Sequence, residues 1–244
     1  MSATPLFRIN YIEKVYVYQL STLETAVFDR LLPTFANLEA EAEAVEQSIW
    51  QGRTCMPTGE SQNPYGLAEA AHDAGVAHYE AGTTTRQILV NSMTITLHHL
   101  FEQQVISFCR YELLNPKKDD ADKTFDWEKA IERIKKSVHI DCRDFSSYAK
   151  VEELRHVANA VKHADGPSAN QIRARRPEMF LHPALRNDEQ IISPTHLPIY
   201  MPLAGQDLFV TDTDLKEYFD ATKAFWKEMM KPLFDEFSEY VRRA

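Results

Sequence analysis

Glycine, cysteine and long apolar runs are all in short supply in this sequence. It has 7 glycines, five of them between Gly52 and Gly82, while six of its 12 prolines fall between Pro167 and Pro202. That distribution predicts helices interrupted by two irregular zones. Cys55, Cys109 and Cys142 are too few and too scattered for a disulfide framework, and no Cys-x-x-Cys pair suggests zinc. Cys142 has no helix start or base beside it to make a thiolate nucleophile, and Cys109 sits in an apolar pattern that predicts an inert buried thiol. No apolar run reaches the roughly 18 residues of a membrane span, and Met1 to Asn10 lacks a basic-then-apolar leader. These absences predict a reducing, cytoplasmic setting without a membrane. No GxxxxGK[ST], GxGxxG or GxSxG occurs, so P-loop hydrolysis, a Rossmann cofactor and α/β-hydrolase chemistry are unsupported.

What is present is ordinary globular material: 244 residues, 44% apolar and 26% charged, enough for one large domain or two small ones. The formal charge of -9 argues against nucleic acid spread over the whole surface. The charge is uneven, however. Residues 1–80 carry four cations against eleven carboxylates, whereas residues 155–176 carry Arg155, Lys162, Arg173, Arg175 and Arg176 against Asp165 alone.

Along the chain, residues 11–20 are rich in Tyr and Val and are compatible with a short strand or a helix start. Ser21 to Glu24 fits a capping box, and the Ala/Glu/Leu-rich stretch to Trp50 predicts a helix kinked or split at Pro33. A loop follows, then a short helix over 67–80. From Thr84 to Leu114, apolar residues from Ile88 to Cys109 recur at three- and four-residue spacings, the mark of a long buried helix. Residues 115–124 form a polar linker and 126–138 a short amphipathic helix. Ser146 or Ser147 caps a helix that ends at Asp165-Gly166-Pro167. An irregular stretch leads to a small β-hairpin near 199–211, and Asp212 or Thr213 caps a last helix with Pro232 inside its pattern. The predicted fold is all-α, an antiparallel helical bundle with that one hairpin. The organisation is an N-terminal helical region (1–82) and a helical core (83–244) carrying an irregular 164–198 insertion and the C-terminal helix, or one continuous domain comprising both.

One helix carries chemistry. Between Val151 and His163, the apolar Val151, Leu154, Ala158 and Val161 share one side. Glu152, Arg155, His156, Asn159, Lys162 and His163 occupy another, from about 20° to about 140° when Val151 is set at zero. Histidine moves protons near neutral pH, Arg and Lys stabilise charge developing on phosphate, and Asn orients an imidazole or holds a phosphate oxygen. The plainer reading is a solvated face whose late cations complement the helix dipole.

Asn159-Ala-Val-Lys-His163, on a helix behind a long apolar helix, resembles the HEPN superfamily over roughly residues 84–165. The resemblance implies an all-α fold that dimerises across the signature helix and, in many members, metal-independent endoribonuclease activity in bacterial defence or toxin–antitoxin systems. Asn159 and His163 match the Asn and His of the family's Arg-Asn-x-x-x-His signature. Ala158 stands where that form has Arg, and Arg155-His156 lies one turn earlier. The implied roles are proton transfer at a ribose 2′-hydroxyl for His163, phosphate stabilisation for Arg155 and orientation for Asn159, with His156 and Lys162 auxiliary. No metal or cofactor is required.

The expected partners are RNA, a second copy of the chain, and an antitoxin or other defence-system protein. Arg173, Arg175 and Arg176 are candidate RNA contacts; the alternative is a solvated loop or a partner for the acidic helices. Ala158 favours a second reading, a HEPN-like module that binds or regulates without catalysis. A third is a metal site at His98, His99 and Glu102, which lie within one helical turn, completed by Glu152 or His139.

Overall fold

A computed structural model describes residues 5–54, 64–113, 126–186 and 198–243. Its secondary structure is helical, with no strand among the described residues. The expected linker at 115–124, Cys55 and part of the irregular 164–198 region lie outside them.

Residues 5–35 form one rod, with no strand at 11–20. Helix α1 (Pro5–Tyr11) passes through a π-helical stretch, Ile12–Val17, into α2 (Tyr18–Ala26). A second π-helical stretch, Val27–Leu31, ends in a 3-10 turn at Leu32–Phe35. The buried apolar residues are Ile12, Tyr16, Leu20, Val27 and Leu32. In a pure α-helix, Leu32 would lie about 200° from Ile12 and face water. Each π insertion turns the later chain back by about 100°. Two insertions therefore return Leu32 to the buried side. The Ser21–Glu24 capping box is a correction: these residues lie inside α2, where the Thr22 hydroxyl donates to the Tyr18 carbonyl (2.9 Å). Pro33, without an N–H, sits in the 3-10 turn where the rod ends, as predicted.

Helix α3 (Leu38–Thr54) runs antiparallel to the start of α4 (Pro64–Phe108), with Leu38 opposite Gly82 and Ala42 opposite Gly75. The two helices expected over 67–80 and 84–114 are thus one element of 45 residues, about 68 Å long. Gly75 and Gly82 do not break it, because both lie where α3 presses against it. A Cβ on Gly82 would stand 2.4 Å from Leu38 Cδ2, and one on Gly75 would stand 3.1 Å from the Ala42 carbonyl. Helix α4 crosses the 82/83 boundary without interruption, and residues from Ile12 to Leu233 belong to one apolar core.

Asp126 accepts the Lys129 N–H (3.0 Å) and caps α5 (Trp127–Val138). Helix α6 (Tyr148–His163) starts after Ser147, yet neither serine hydroxyl caps it. The Glu228 carboxylate instead accepts the Ser146 N–H (2.7 Å) and the Ser147 N–H (3.1 Å) from across the core. Pro167 begins α7 (Pro167–Arg175), so the arginine run sits on a helix and not in a loop. Helix α8 (Asp212–Arg243) continues through Pro232. Its cap is Thr211, one residue before the expected position: the Thr211 hydroxyl accepts the Asp214 N–H (3.1 Å) while Asp214 accepts the Thr211 N–H (3.0 Å).

The expected hairpin near 199–211 is absent. Its backbone groups go elsewhere: the Asp207 carboxylate takes the N–H groups of Tyr200 and Met201 (3.0 Å each), Phe209 donates to the Met179 carbonyl (2.8 Å), and a 3-10 turn fills 202–204. Asn91, fully buried on α4, holds this segment. Its amide donates to the Pro202 carbonyl (2.7 Å) and the Leu208 carbonyl (2.9 Å), and its oxygen accepts the Val210 N–H (3.4 Å). Replacing Asn91 by Leu leaves those groups unpaired in the core. The expected cost is about 2–3 kcal/mol in urea unfolding; a loss under 0.5 kcal/mol contradicts this role for the amide.

Candidate functional site

Helix α6 is amphipathic in the expected sense. Val151, Leu154, Val157, Ala158, Ala160 and Val161 are buried, and the polar residues look outward or along the seam with α4. Val157 and Ala160 join the buried side because neighbours cover α6 more widely than its sequence stripe suggested. Ala158 is among the buried residues, so an arginine at that position would have to enter the core.

The polar face is organised by Glu152. Its carboxylate takes two bonds from the Arg155 guanidinium, from Nε (3.2 Å) and Nη2 (3.0 Å), and a third from the Tyr148 hydroxyl (3.3 Å). His156 Nε2 stands 3.8 Å from it, and Glu128 of α5 lies 3.9 Å from Arg155. Burial opposes the charge on Glu152, but Arg155 and His156 prevail and hold its pKa below the usual carboxylate value. Arg155 is thus fixed in direction but occupied. To meet a phosphate it would exchange one anion for another, which a rotation about the same i, i+3 pair permits.

His156 is half-buried, its Nδ1 3.5 Å from the Ser168 hydroxyl at the start of α7. Asn159 is half-buried, and Lys162 and His163 are exposed at the last turn. The side chains of Asn159 and His163 make no hydrogen bond among the described residues. An amide and an imidazole left open one turn apart can take an incoming ligand without first breaking an internal bond.

The structure brings His98, for which Glu152 was one of two suggested further ligands, up against the α6 face. His98 of α4 is buried, and its imidazole senses Arg155, Glu152 and Lys162 across the α4–α6 seam. Burial, then His99 and Arg155, lower its pKa to about 4, so it is neutral near pH 7. The His98, His99 and Glu102 ligand atoms lie within 4.8 Å of one another, and the His98 Nδ1 has no hydrogen-bond partner among the described residues. His139, offered as a completing ligand, is not part of that group; it takes the left-handed conformation that ends α5 (φ 58°). Spacing within one helix gave no sign of this seam, because only tertiary packing sets α4 against α6.

The arginine run divides. Arg176 is a structural hub: it meets Glu153 (2.7 Å), Asp214 (2.7 Å) and Glu178, while Tyr218 donates to the same Glu153 (2.9 Å). Arg173 bridges to Asp165 (2.5 Å) and lies over the Phe180 ring. Arg175 is exposed and acts on His156 through its charge. Of the three, Arg175 is the one turned outward, and the partners of the other two are the chain's own acids. The thiols stay out of the chemistry: burial pushes Cys109 and Cys142 up to about 12.

No protein-family model, no curated protein and no solved structure matches the chain. Among the described residues, no helix is long and apolar enough to cross a membrane.

Burial, then Arg155 and Arg175, depress the His156 pKa against the upward pull of Glu152. An imidazole with a lowered folded pKa stays neutral, and the unfolded chain takes up the proton first as pH falls. Its contribution to stability is therefore complete above about 6.5 and declines as pH drops through the lower, folded midpoint. In a proton NMR titration, His156 should titrate below 6.5; a midpoint above that value contradicts the arrangement.

Proposed function

We propose that this chain is a HEPN-like protein acting on RNA, a metal-independent endoribonuclease of a bacterial defence or toxin–antitoxin system. It works as a homodimer across α6, within an antiparallel, HEPN-like bundle, and answers to an antitoxin or other defence-system partner. The observation that carries this reading is the split of α6. Its apolar side is buried, while Arg155, His156, Asn159, Lys162 and His163 share the other side and the last turn is open to solvent. The chemistry follows from those groups. His163 takes the proton of a ribose 2′-hydroxyl, the 2′-oxygen attacks phosphorus, and the departing 5′-oxygen receives a proton from a second imidazole of the composite face. Arg155, released from Glu152, and Lys162 stabilise the crowded phosphate, and Asn159 orients the attacking group. Arg175 is the outward cation best placed to hold the chain of phosphates, with Arg173 and Arg176 supporting the helix that carries it.

A second reading, a HEPN-like module that binds RNA or protein without cleaving, draws on two facts: Ala158 is buried at the usual arginine position, and Glu152 occupies Arg155. One experiment separates the two. Purified protein is incubated with labelled total RNA in EDTA. The endoribonuclease gives fragments ending in 2′,3′-cyclic phosphate, and His163→Ala lowers the rate by about 10²–10⁴-fold with unchanged melting temperature. Bound but intact RNA supports the module, and undiminished cleavage by His163→Ala removes the proposed chemistry.

A further inference from the structure

We propose that the His98–His99–Glu102 turn of α4 is a binding site for one divalent transition-metal ion, separate from the metal-independent chemistry assigned to α6. Three independent features meet there. The first is spacing. His98 and Glu102 are one turn apart, and His99 precedes Glu102 by three residues, so one carboxylate faces both imidazoles. The His99 Nδ1 is 3.5 Å from the Glu102 Oε2, and the two imidazoles meet edge to face at 5.4 Å. The second is an unused atom. His98 is 5% exposed, and its Nδ1 is buried without a hydrogen-bond partner among the described residues. Buried polar atoms are nearly always paired, so an orphaned nitrogen on a residue of this cluster points to a missing partner. The third is reach. The three ligand atoms lie within 4.8 Å of one another. Bonds of about 2.0–2.2 Å require roughly 3–3.5 Å between ligands, a closure of one rotamer step. His99 and Glu102 are only partly buried and free to make it, while His98 is held by the core.

The donor set selects the ion. Two imidazole nitrogens and one carboxylate oxygen suit Zn²⁺, Co²⁺, Ni²⁺ or Fe²⁺ and are poor for Mg²⁺ or Ca²⁺, which prefer oxygen alone. Solvent completes the shell, because the nearby Glu152 is committed to Arg155. Arg155 and Lys162 oppose added positive charge at His98 across the seam, and Glu152 favours it.

The test uses tag-free, full-length protein stripped with EDTA and passed into metal-free buffer, then titrated calorimetrically with Zn²⁺ and spectroscopically with Co²⁺, without RNA. One equivalent per chain should bind, with visible Co²⁺ bands that a large excess of Mg²⁺ does not remove. His99→Ala and Glu102→Gln, both on the accessible edge, should each weaken binding by about 10–100-fold with unchanged helical circular dichroism. His98→Gln should do the same if it folds, and the other two variants decide the matter if it does not. His163→Ala should bind the metal like the parent, so the outcome is independent of whether the chain cleaves RNA. No saturable binding, or binding undiminished in both edge variants, overturns the site.

Discussion

Gln104 of α4 is 3% exposed and has its side-chain amide fully engaged. Its oxygen accepts the indole N–H of Trp226 (2.9 Å), and its nitrogen donates to the Tyr16 carbonyl (3.2 Å) and to Gln19 (3.1 Å). Four turns earlier, Asn91 does the same for the 202–210 segment. A helix surrounded by protein cannot leave its polar side chains unpaired, since each orphaned group costs about 1–3 kcal/mol. The two amides convert that constraint into registration. They fix the N-terminal rod, α8 and the 202–210 segment against one axis, and the apolar core fills in around them. The seam between α4 and α6 inherits its position from the same axis, which is how His98 comes to face Glu152 and Arg155.

That seam explains how an acidic protein can keep a local basic face. Most cations near the proposed site are already matched inside the chain: Arg155 by Glu152, Arg173 by Asp165, and Arg176 by Glu153, Glu178 and Asp214. Burial opposes ionisation of Asp214, yet Thr211 and Arg176 hold its pKa below the usual value, so the Arg176 hub keeps its charges. What remains outward is small: Lys162, His163 and Arg175. A nucleic-acid contact built on these is local, and added salt should weaken it. The acid that sets the overall charge sits on α3 and the first half of α4. There Glu46 and Glu41 lie beside His72 (3.5 Å) and His78 (3.6 Å).

The helices with strict periodicity were legible in the sequence. The apolar stripe from Ile88 to Cys109, the short amphipathic helix over 126–138 and the two faces of Val151–His163 all follow from local rules that the fold leaves intact. The N-terminal rod was not legible, because its buried residues fit a single face only after two π insertions, and no local pattern announces those. Gly75 fell inside one expected helix and Gly82 between two, and both prove to be contact points for α3. The hairpin near 199–211 had alternating residues and a Gly turn, yet lost to a competitor outside its own sequence: the Asn91 amide and the Met179 carbonyl. Arg176 looked like a surface cation because its acids come from Glu153 and Asp214, far away in the chain. The same holds for Glu228 at the start of α6. Side-chain identities at the site were thus readable, but their partners were not, since partnership is set by tertiary contact.

The account stands on the α6 face being the surface that meets RNA. The most direct measurement is a histidine and side-chain amide NMR map of the protein with a short 2′-O-methyl RNA, which binds but cannot be cleaved. Shifts concentrated at His163, His156 and Asn159, weakening as salt rises, are the predicted result. Saturable binding with those three signals unmoved, or no binding at low salt, contradicts it.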